Sequence, residues 1–464
     1  MKIQLRNFGP IEFFEFDTKT QMHFIFGENN IGKSYAISAV YLLLKNLTQS
    51  AVNHNGAIYV TQENIENIEK IVQNNIESND SIDVSEKLKK IYFKTFNTIF
   101  LKNINNSFAT SFDSIENLSN RYSNKELSIH LLLNYVELII GVSKGNILEL
   151  KDVKINLEAK VDIIDYDRQG FSLSSESNKK VLQFHFNKKN QSIKSLRDGL
   201  NLFSIELFSE IRNEAGNVYF LPASRSGLYN ALSAFGAIFA ELSQKRTTLS
   251  SKIELPNLTE PVSDYFLNLS SIKVNGTSSD DLLSIAAKIE QNLLKGEVSF
   301  NSKNKKLFYS PSNLSLNLDL PFASSMISEI APIVAHLKYI IKQNDELISE
   351  GSSLLFIEEP EAHLHPKVQI ELMKIFVHLS ELGVNVIVTS HSNYLFNKLS
   401  NQILAKEIDS KKVAVYHFKM GKNGSYVDKD SMKVDIEGIE DANFSDVAEE
   451  LYSERLELYE NLEF

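Results

Sequence analysis

Apolar and polar positions change their rhythm several times along the chain. Ile3 and Leu5 alternate with polar neighbours, Gly9-Pro10 marks a turn and Ile11 to Phe16 returns, so residues 1–26 predict a small antiparallel unit. The apolar run His23-Phe24-Ile25-Phe26 then predicts a strand, and Ser34 to Leu44 has the apolar density of a buried helix. From about 50 to 142 the pattern predicts helical segments, broken at Ser78-Asn79-Asp80 and at Asn103 to Asn106. Residues 147–187 turn strand-rich, with apolar runs at Ile147 to Leu150, Val153 to Leu157, Val161 to Ile164 and Val181 to Phe186. A helix is expected near 193–213, then the strand Val218-Tyr219-Phe220-Leu221, and helices at 228–247 and 279–295. Glu297 to Phe300 and Lys306 to Tyr309 predict a hairpin around Ser302 to Asn304.

From residue 322 strands and helices alternate: helix 323–346, strand 353–357, helix 366–380, strand 384–389 and a helix from 393. Such alternation predicts a parallel sheet. After Pro366, Val368, Leu372, Ile375, Phe376 and Leu379 share one helical face. A hairpin follows, Val413 to Phe418 and Ser425 to Asp428 turning at Gly421 to Gly424, and an acidic helix spans 444–461.

The first junction carries chemistry. Between strand and helix stands Gly27-Glu28-Asn29-Asn30-Ile31-Gly32-Lys33-Ser34, the G-x-x-x-x-G-K-S spacing of a phosphate-binding loop. Gly27 lets the chain turn out of the strand, and Gly32 lets backbone approach a polyphosphate. Asn30 stands where such loops often carry glycine, and Asn tolerates the left-handed conformation. The backbone of Asn29, Asn30, Ile31 and Gly32 and the helix N-terminus would face the anion. Lys33 would reach the β- and γ-phosphates of ATP, and the Ser34 hydroxyl would ligate Mg²⁺.

A second strand, Leu354-Leu355-Phe356-Ile357, ends in Glu358 and Glu359. Nucleotide hydrolysis needs one acid at the metal, here Glu358, and one to orient the attacking water, here Glu359. An exposed acidic strand end is the alternative. A third strand, Val384 to Thr389, leads to His391, which would hydrogen-bond the γ-phosphate or that water, or serve only a structural role.

Composition narrows the class. At 464 residues the chain can hold about two to three domains. With 43% hydrophobic and 23% charged residues it reads as a globular protein, without a membrane-spanning run or a signal-peptide pattern. Cysteine is absent, which excludes disulfides and thiolate metal sites and suits the cytoplasm. A net charge of −11 argues against a generally basic, nucleic-acid-coating surface.

The loop, the run Glu-Glu-Pro-Glu-Ala-His-Leu-His-Pro at 358–366 and Thr389-Ser390-His391-Ser392 together resemble ABC-type ATPases of the SMC/RecF/OLD class, over about residues 1–45 and 320–400. The resemblance implies an α/β ATPase head with mixed and parallel sheets and a largely helical insertion. The head would comprise 1–48 with the phosphate loop and 321–464 with the acidic strand and His391; 49–145 would be the helical insertion and 146–320 a mixed strand and helix lobe. It further implies ATP-driven head-to-head dimerisation, with His363 and His365 in the segment facing the partner and His391 as the switch histidine.

Where that class carries Leu-Ser-Gly-Gly, this chain reads Ala323-Ser324-Ser325-Met326. Ser324 and Ser325 would cap the partner's nucleotide, or act as ordinary helix caps. Leu221 to Gly227 resembles a loop of single-chain ATPases of prokaryotic anti-phage systems, of Septu, retron-linked and PARIS type. Its Arg225 would touch phosphate or a partner head, or form a surface ion pair. Arg6 and Asn7 are further candidates at the base.

OLD proteins append a nuclease that needs an Asp-x-Asp strand. Asp428-Lys429-Asp430 has that spelling but follows a polar hairpin and reads as a solvated turn. The expectation is an ATP-hydrolysing switch, a homodimer or higher oligomer, acting on a separate nuclease or toxin and binding no membrane. A RecF-like clamp on duplex DNA is the alternative reading, and an OLD-like metal-dependent nuclease a third.

Overall fold

The computed structural model describes residues 1–53, 62–74, 81–164, 170–176, 179–187, 197–203, 205, 214–232, 258–273, 278–341, 352–428, 431–440 and 445–460. The chain divides into two compact units, each built from separate stretches of sequence.

One unit comprises Met1–Thr18, Leu42–Gly216 and Ser349–Gly351. Strands β1 (Lys2–Phe8) and β2 (Ile11–Asp17) form the expected hairpin, with Ile3, Leu5 and Phe8 buried and Lys2 and Arg6 exposed. β1 also pairs with Ser128–Leu132, which continues antiparallel into Val136–Val142 and Leu148–Ile155. The first two of these strands lie in the stretch expected to be helical. Their alternation at Ile129, Leu131, Val136, Leu138 and Ile140 buries one face only, a period of two rather than a helical one. Helices Gln62–Asn74, Ser85–Thr95 and Leu101–Ser111 do lie in that stretch. The rings of Phe108 and Phe112 pack edge-on against Phe8. A smaller sheet runs in the order Ile82–Asp83, Leu157–Ile164, Lys179–Asn187, Gly170–Glu176.

The other unit comprises Lys19–Tyr41, Asn217–Ile348 and Ser352–Phe464. Strand β3 (Met22–Gly27) is wholly buried and leads into helix α1 (Lys33–Asn53), which begins in this unit. β4 (Val218–Leu221), helix α2 (Ser325–Ala335) and β5 (Ser353–Glu358) follow. Helix α3 (Pro366–Glu381), β6 (Val384–Thr389), helix α4 (Asn393–Leu404), β7 (Val413–Gly421) and β8 (Gly424–Val427) complete the frame. The sheet order is β4-β5-β6-β3-β7-β8, parallel throughout except for the β7–β8 hairpin. The α/β alternation thus yields the parallel sheet it predicts.

Strands β3, β5 and β6 are apolar along both faces because helices cover both sides of such a sheet. Leu355, Ile357, Leu372, Phe376, Leu379, Val386, Val388 and Leu399 share one continuous core. Tyr41 packs edge-on to Phe220 and Phe356, and its hydroxyl donates to Asp264 at 2.7 Å. The hairpin Gly296–Asn301 with Lys306–Pro311 forms where the pattern places it. The expected helices at 193–213, 228–247 and 323–346 fall partly outside the described residues; the described parts 197–203, 225–232 and Ser325–Ala335 are helical.

Candidate functional site

Parallel register brings the chemistry to one edge. Glu358 at the end of β5 pairs with Thr389 at the end of β6, Thr389 pairs with Ile25 of β3, and Leu221 of β4 pairs with Ile357 of β5. The residues that follow each strand therefore emerge together at the carboxyl ends, where open parallel sheets bind ligands.

The loop after β3 has the backbone its residue types predict. Gly27 has φ +138° and Gly32 φ +97°, and Asn30 occupies the left-handed region at φ +63°. A Cβ on Gly27 would lie 2.6 Å from both Ile31 Cδ1 and the Phe418 carbonyl oxygen, so no other residue fits. Ile31 is buried beneath the loop, while Asn29 and Asn30 are exposed. Helix α1 begins with Ala36 N–H donating to the Gly32 carbonyl.

Lys33 is 93% buried, its relative exposure being 7%. Its Nζ donates to the carbonyls of Gly27 at 2.9 Å and Glu28 at 2.5 Å. Lys33 is thus curled into its own loop. Burial pushes its pKa down to about 8, against the pull of Glu359, Glu361 and Glu28.

The Glu358 carboxylate accepts from the Ser34 hydroxyl and from Ala223 N–H at 3.4 Å. Burial raises its pKa, the Ser34 and Ala223 bonds oppose that rise, and Glu359 adds to it. Ser34 and Glu358 thus present oxygen donors side by side, the hard-donor chemistry that Mg²⁺ takes together with phosphate oxygens and water. They fit the ion the sequence implies.

Glu359 is exposed and its backbone sits at φ +42°. A side chain other than Asn, Asp or Gly in this region costs about 1–2 kcal/mol. The turn is held on both sides: Glu359 N–H donates to the Thr389 carbonyl at 3.0 Å, and its own carbonyl accepts from Ala362 N–H at 3.2 Å. His391 is exposed at the end of β6. Partial burial and the nearby Lys33 ammonium lower its pKa, with Glu359 pulling the other way. Lys33, Glu359 and His391 are therefore one electrostatic cluster.

Glu361 belongs to this cluster although the sequence reading gave it no role. Its carboxylate accepts from Ser390 Oγ at 2.9 Å and His391 N–H at 2.6 Å, fixing the start of the histidine loop. Burial raises its pKa, against the His391 N–H bond. A third acid inside the Glu-Glu-Pro-Glu run was the available signal. His365 caps α3, its Nδ1 accepting from Lys367 N–H at 3.2 Å, while His363 is exposed at φ +59°.

Arg225 requires correction. It is not the surface residue that the ion-pair reading expects: it is fully buried, held by Glu329 and by backbone carbonyls of the loops after β4 and β5. Burial lowers its pKa, and Glu329 foremost opposes the shift. Glu329 was also missed, although it is the lone acid in the apolar run from Ser328 to Ala335.

Ser324 and Ser325 stand exposed at the N-terminus of α2. Ser324 takes the capping position, but its side chain makes no capping hydrogen bond. Phe322, just before them, is 79% exposed. Arg6 and Asn7 lie in the other unit, where Arg6 donates to Gln4 and stacks over Phe13 and Asn7 donates to the Glu126 carbonyl. Asp428 pairs with Lys419 at 2.8 Å, and the rest of the Asp-Lys-Asp run lies outside the described residues. No described helix is long and apolar enough to cross a membrane.

A segment of 92 residues is 32% identical to the Old nuclease of Escherichia phage P2, covering 18% of this chain and 16% of that protein. The SMC head domain from Thermotoga maritima aligns over 92% of this chain and 97% of its own at 10% identity, with a TM-score of 0.35. The Smc head domain from Pyrococcus furiosus, solved bound to the C-terminal domain of ScpA, aligns over 98% of each chain at 11% identity, with a TM-score of 0.37. The profile of the AAA ATPase domain family matches residues 1–396, so the chain belongs to that family of ATPases.

Proposed function

We propose that this ATPase is a switch that dimerises on binding ATP and Mg²⁺ and controls a separate effector protein in prokaryotic anti-phage defence. The observation that carries the reading is the convergence of Lys33, Ser34, Glu358, Glu359 and His391 at one edge of a parallel sheet. In the proposed cycle the β- and γ-phosphates replace the Gly27 and Glu28 carbonyls as partners of Lys33. Ser34 and Glu358 would hold Mg²⁺, which would supply charge neutralisation of the phosphates. Glu359 orients the attacking water, and His391 hydrogen-bonds the γ-phosphate, so that loss of that phosphate changes what the histidine loop contacts.

Dimerisation is supported by the face in front of α2. Ser324 and Ser325 offer hydroxyls and a helix N-terminus, and the adjacent Phe322 ring is an apolar group that a second copy would cover. The defence role is supported by the resemblance of the Leu221 to Gly227 loop to that of single-chain anti-phage ATPases. We assign the effector activity to a partner protein and the complex to the cytoplasm.

The test uses Glu359→Gln. Hydrolysis should fall by about 10²–10⁴-fold while ATP binding persists, and light scattering should show the mass doubling with ATP and Mg²⁺. Unchanged hydrolysis sinks the site assignment, and a monomer at saturating ATP sinks the dimer. ATP-dependent duplex binding that weakens steeply with salt, with no co-purifying protein, would support a DNA clamp instead.

A further inference from the structure

The buried cluster around Arg225 bears on hydrolysis, given the assignment of Glu359 to the attacking water made above. We propose that Arg225 is a positioning residue: it holds the Glu359 turn through the backbone and, through Glu329, ties that turn to helix α2 and its leading Ser324 and Ser325.

The guanidinium spends its donors on this turn. Nη1 donates to the carbonyls of Glu358 at 2.7 Å and Pro222 at 3.1 Å, and Nη2 donates to the Glu359 carbonyl at 3.3 Å. Two consecutive carbonyls, belonging to the metal-site and water-site acids, are thus pinned by one rigid fork. The second of them belongs to the residue at φ +42°, a conformation that persists only where surroundings over-determine it. The carboxylate of Glu359 takes no part in these bonds and interacts electrostatically with Lys33.

The other side of the guanidinium meets α2. Nε donates to the Glu329 carbonyl at 3.1 Å, and Nη2 lies 3.2 Å from Glu329 Oε2. Glu329 Oε1 accepts from both the N–H and the hydroxyl of Ser226, at 3.2 and 2.7 Å. Both charged side chains have zero exposure. A buried ion pair seldom repays its desolvation as mere glue, whereas a fork that fixes one active geometry has a use for that arrangement. Glu329 sits one turn beyond Ser325, on the same face of α2. A ligand that shifts the first turn of α2 therefore moves Glu329, then Arg225, then the carbonyl of Glu359.

Arg225→Lys tests this, because Lys keeps a cation opposite Glu329 but cannot pin two carbonyls at once. The full chain is assayed for kcat and KM with ATP and Mg²⁺, for affinity by titration with a fluorescent ATP analogue, and for folding by thermal melting. Glu359→Gln and the double variant are measured alongside. The expected result is unchanged nucleotide affinity with kcat down by about 100-fold, and a double variant no slower than Glu359→Gln alone. Wild-type kcat in folded Arg225→Lys, beside an inactive Glu359→Gln, overturns the proposal and leaves the Glu359 assignment standing. A loss of kcat that merely tracks lost affinity or lost folded protein also overturns it. Full activity in Glu359→Gln removes the assignment and this proposal with it. If Arg225→Lys does not fold, Glu329→Gln carries the test: it keeps acceptors for Ser226, and a kcat fall of about tenfold at unchanged affinity is expected; no fall overturns the proposal.

Discussion

Lys33 is held by two opposing effects, burial that disfavours its charge and carbonyls and acids that favour it. With a pKa near 8 in the free protein, a growing fraction is neutral at pH 8 and above. A bound polyphosphate favours the ammonium form, so ATP binding at pH 9 should take up close to one proton, and at pH 6.5 none. Calorimetry in buffers of different ionisation enthalpy measures this directly; identical heats after buffer correction at both pH values would count against it. Lys33→Ala should weaken ATP binding by about 10–100-fold, the worth of a charge-assisted bond, in a direct titration. The loop was legible in the sequence because Gly27, Asn30 and Gly32 are the residue types that positive φ demands. Arg225 was not. Its burial depends on Glu329, 104 residues away, and on carbonyls of a strand end more distant still. Residue type and local spacing carry no trace of such a meeting.

The strands and helices that frame the site were readable because each has an extreme pattern. β3, β5 and β6 are short apolar runs closed by polar residues, and α3 opens with Pro366 at its first position and buries Leu372, Phe376 and Leu379. The strands at Ser128–Leu132 and Val136–Val142 escaped because they were read as a continuation of the helical segments upstream, while their weak alternation was the cue to strands. The junction of β3 with its loop is the most constrained point of the framework. Gly27→Ala places a methyl 2.6 Å from Phe418 O of β7 and demands φ +138° of a residue with a Cβ. Thermal melting should show a loss of about 2 kcal/mol or more, together with weakened ATP binding. A variant as stable as wild type would mean that β7 can move away from the loop.

Stability of the whole protein should depend on two buried histidines. His23, between the Tyr416 hydroxyl and the Thr20 carbonyl, has its pKa lowered to about 3 by burial, and His336, donating to the Pro332 carbonyl, to about 4. Below pH 6.5 the unfolded chain takes up protons at both positions and the folded chain does not. Stability is therefore full above about pH 6.5 and falls as the pH drops toward 4 and then 3. At pH 5 each histidine should cost about 2 kcal/mol. Melting temperatures between pH 7 and 5 measure this, and a His336→Asn variant should lose about half of that slope; an unchanged slope would assign the acid sensitivity elsewhere.

The sheet order has a consequence for how the protein is made. β3 and its loop are synthesised well before their neighbours in the sheet, β6 and β7, residues 384–389 and 413–421. Until β6 is synthesised, the strand that ends in Gly27 has neither flank, and until β7 is synthesised it has only one. The loop cannot take its shape, since Phe418, against which Gly27 packs, does not yet exist. Nascent chains should therefore remain unable to hold ATP until β7 has been synthesised, and long-range pairing of this kind makes folding slow. The shape of the loop thus waits on a strand that lies far downstream in the chain.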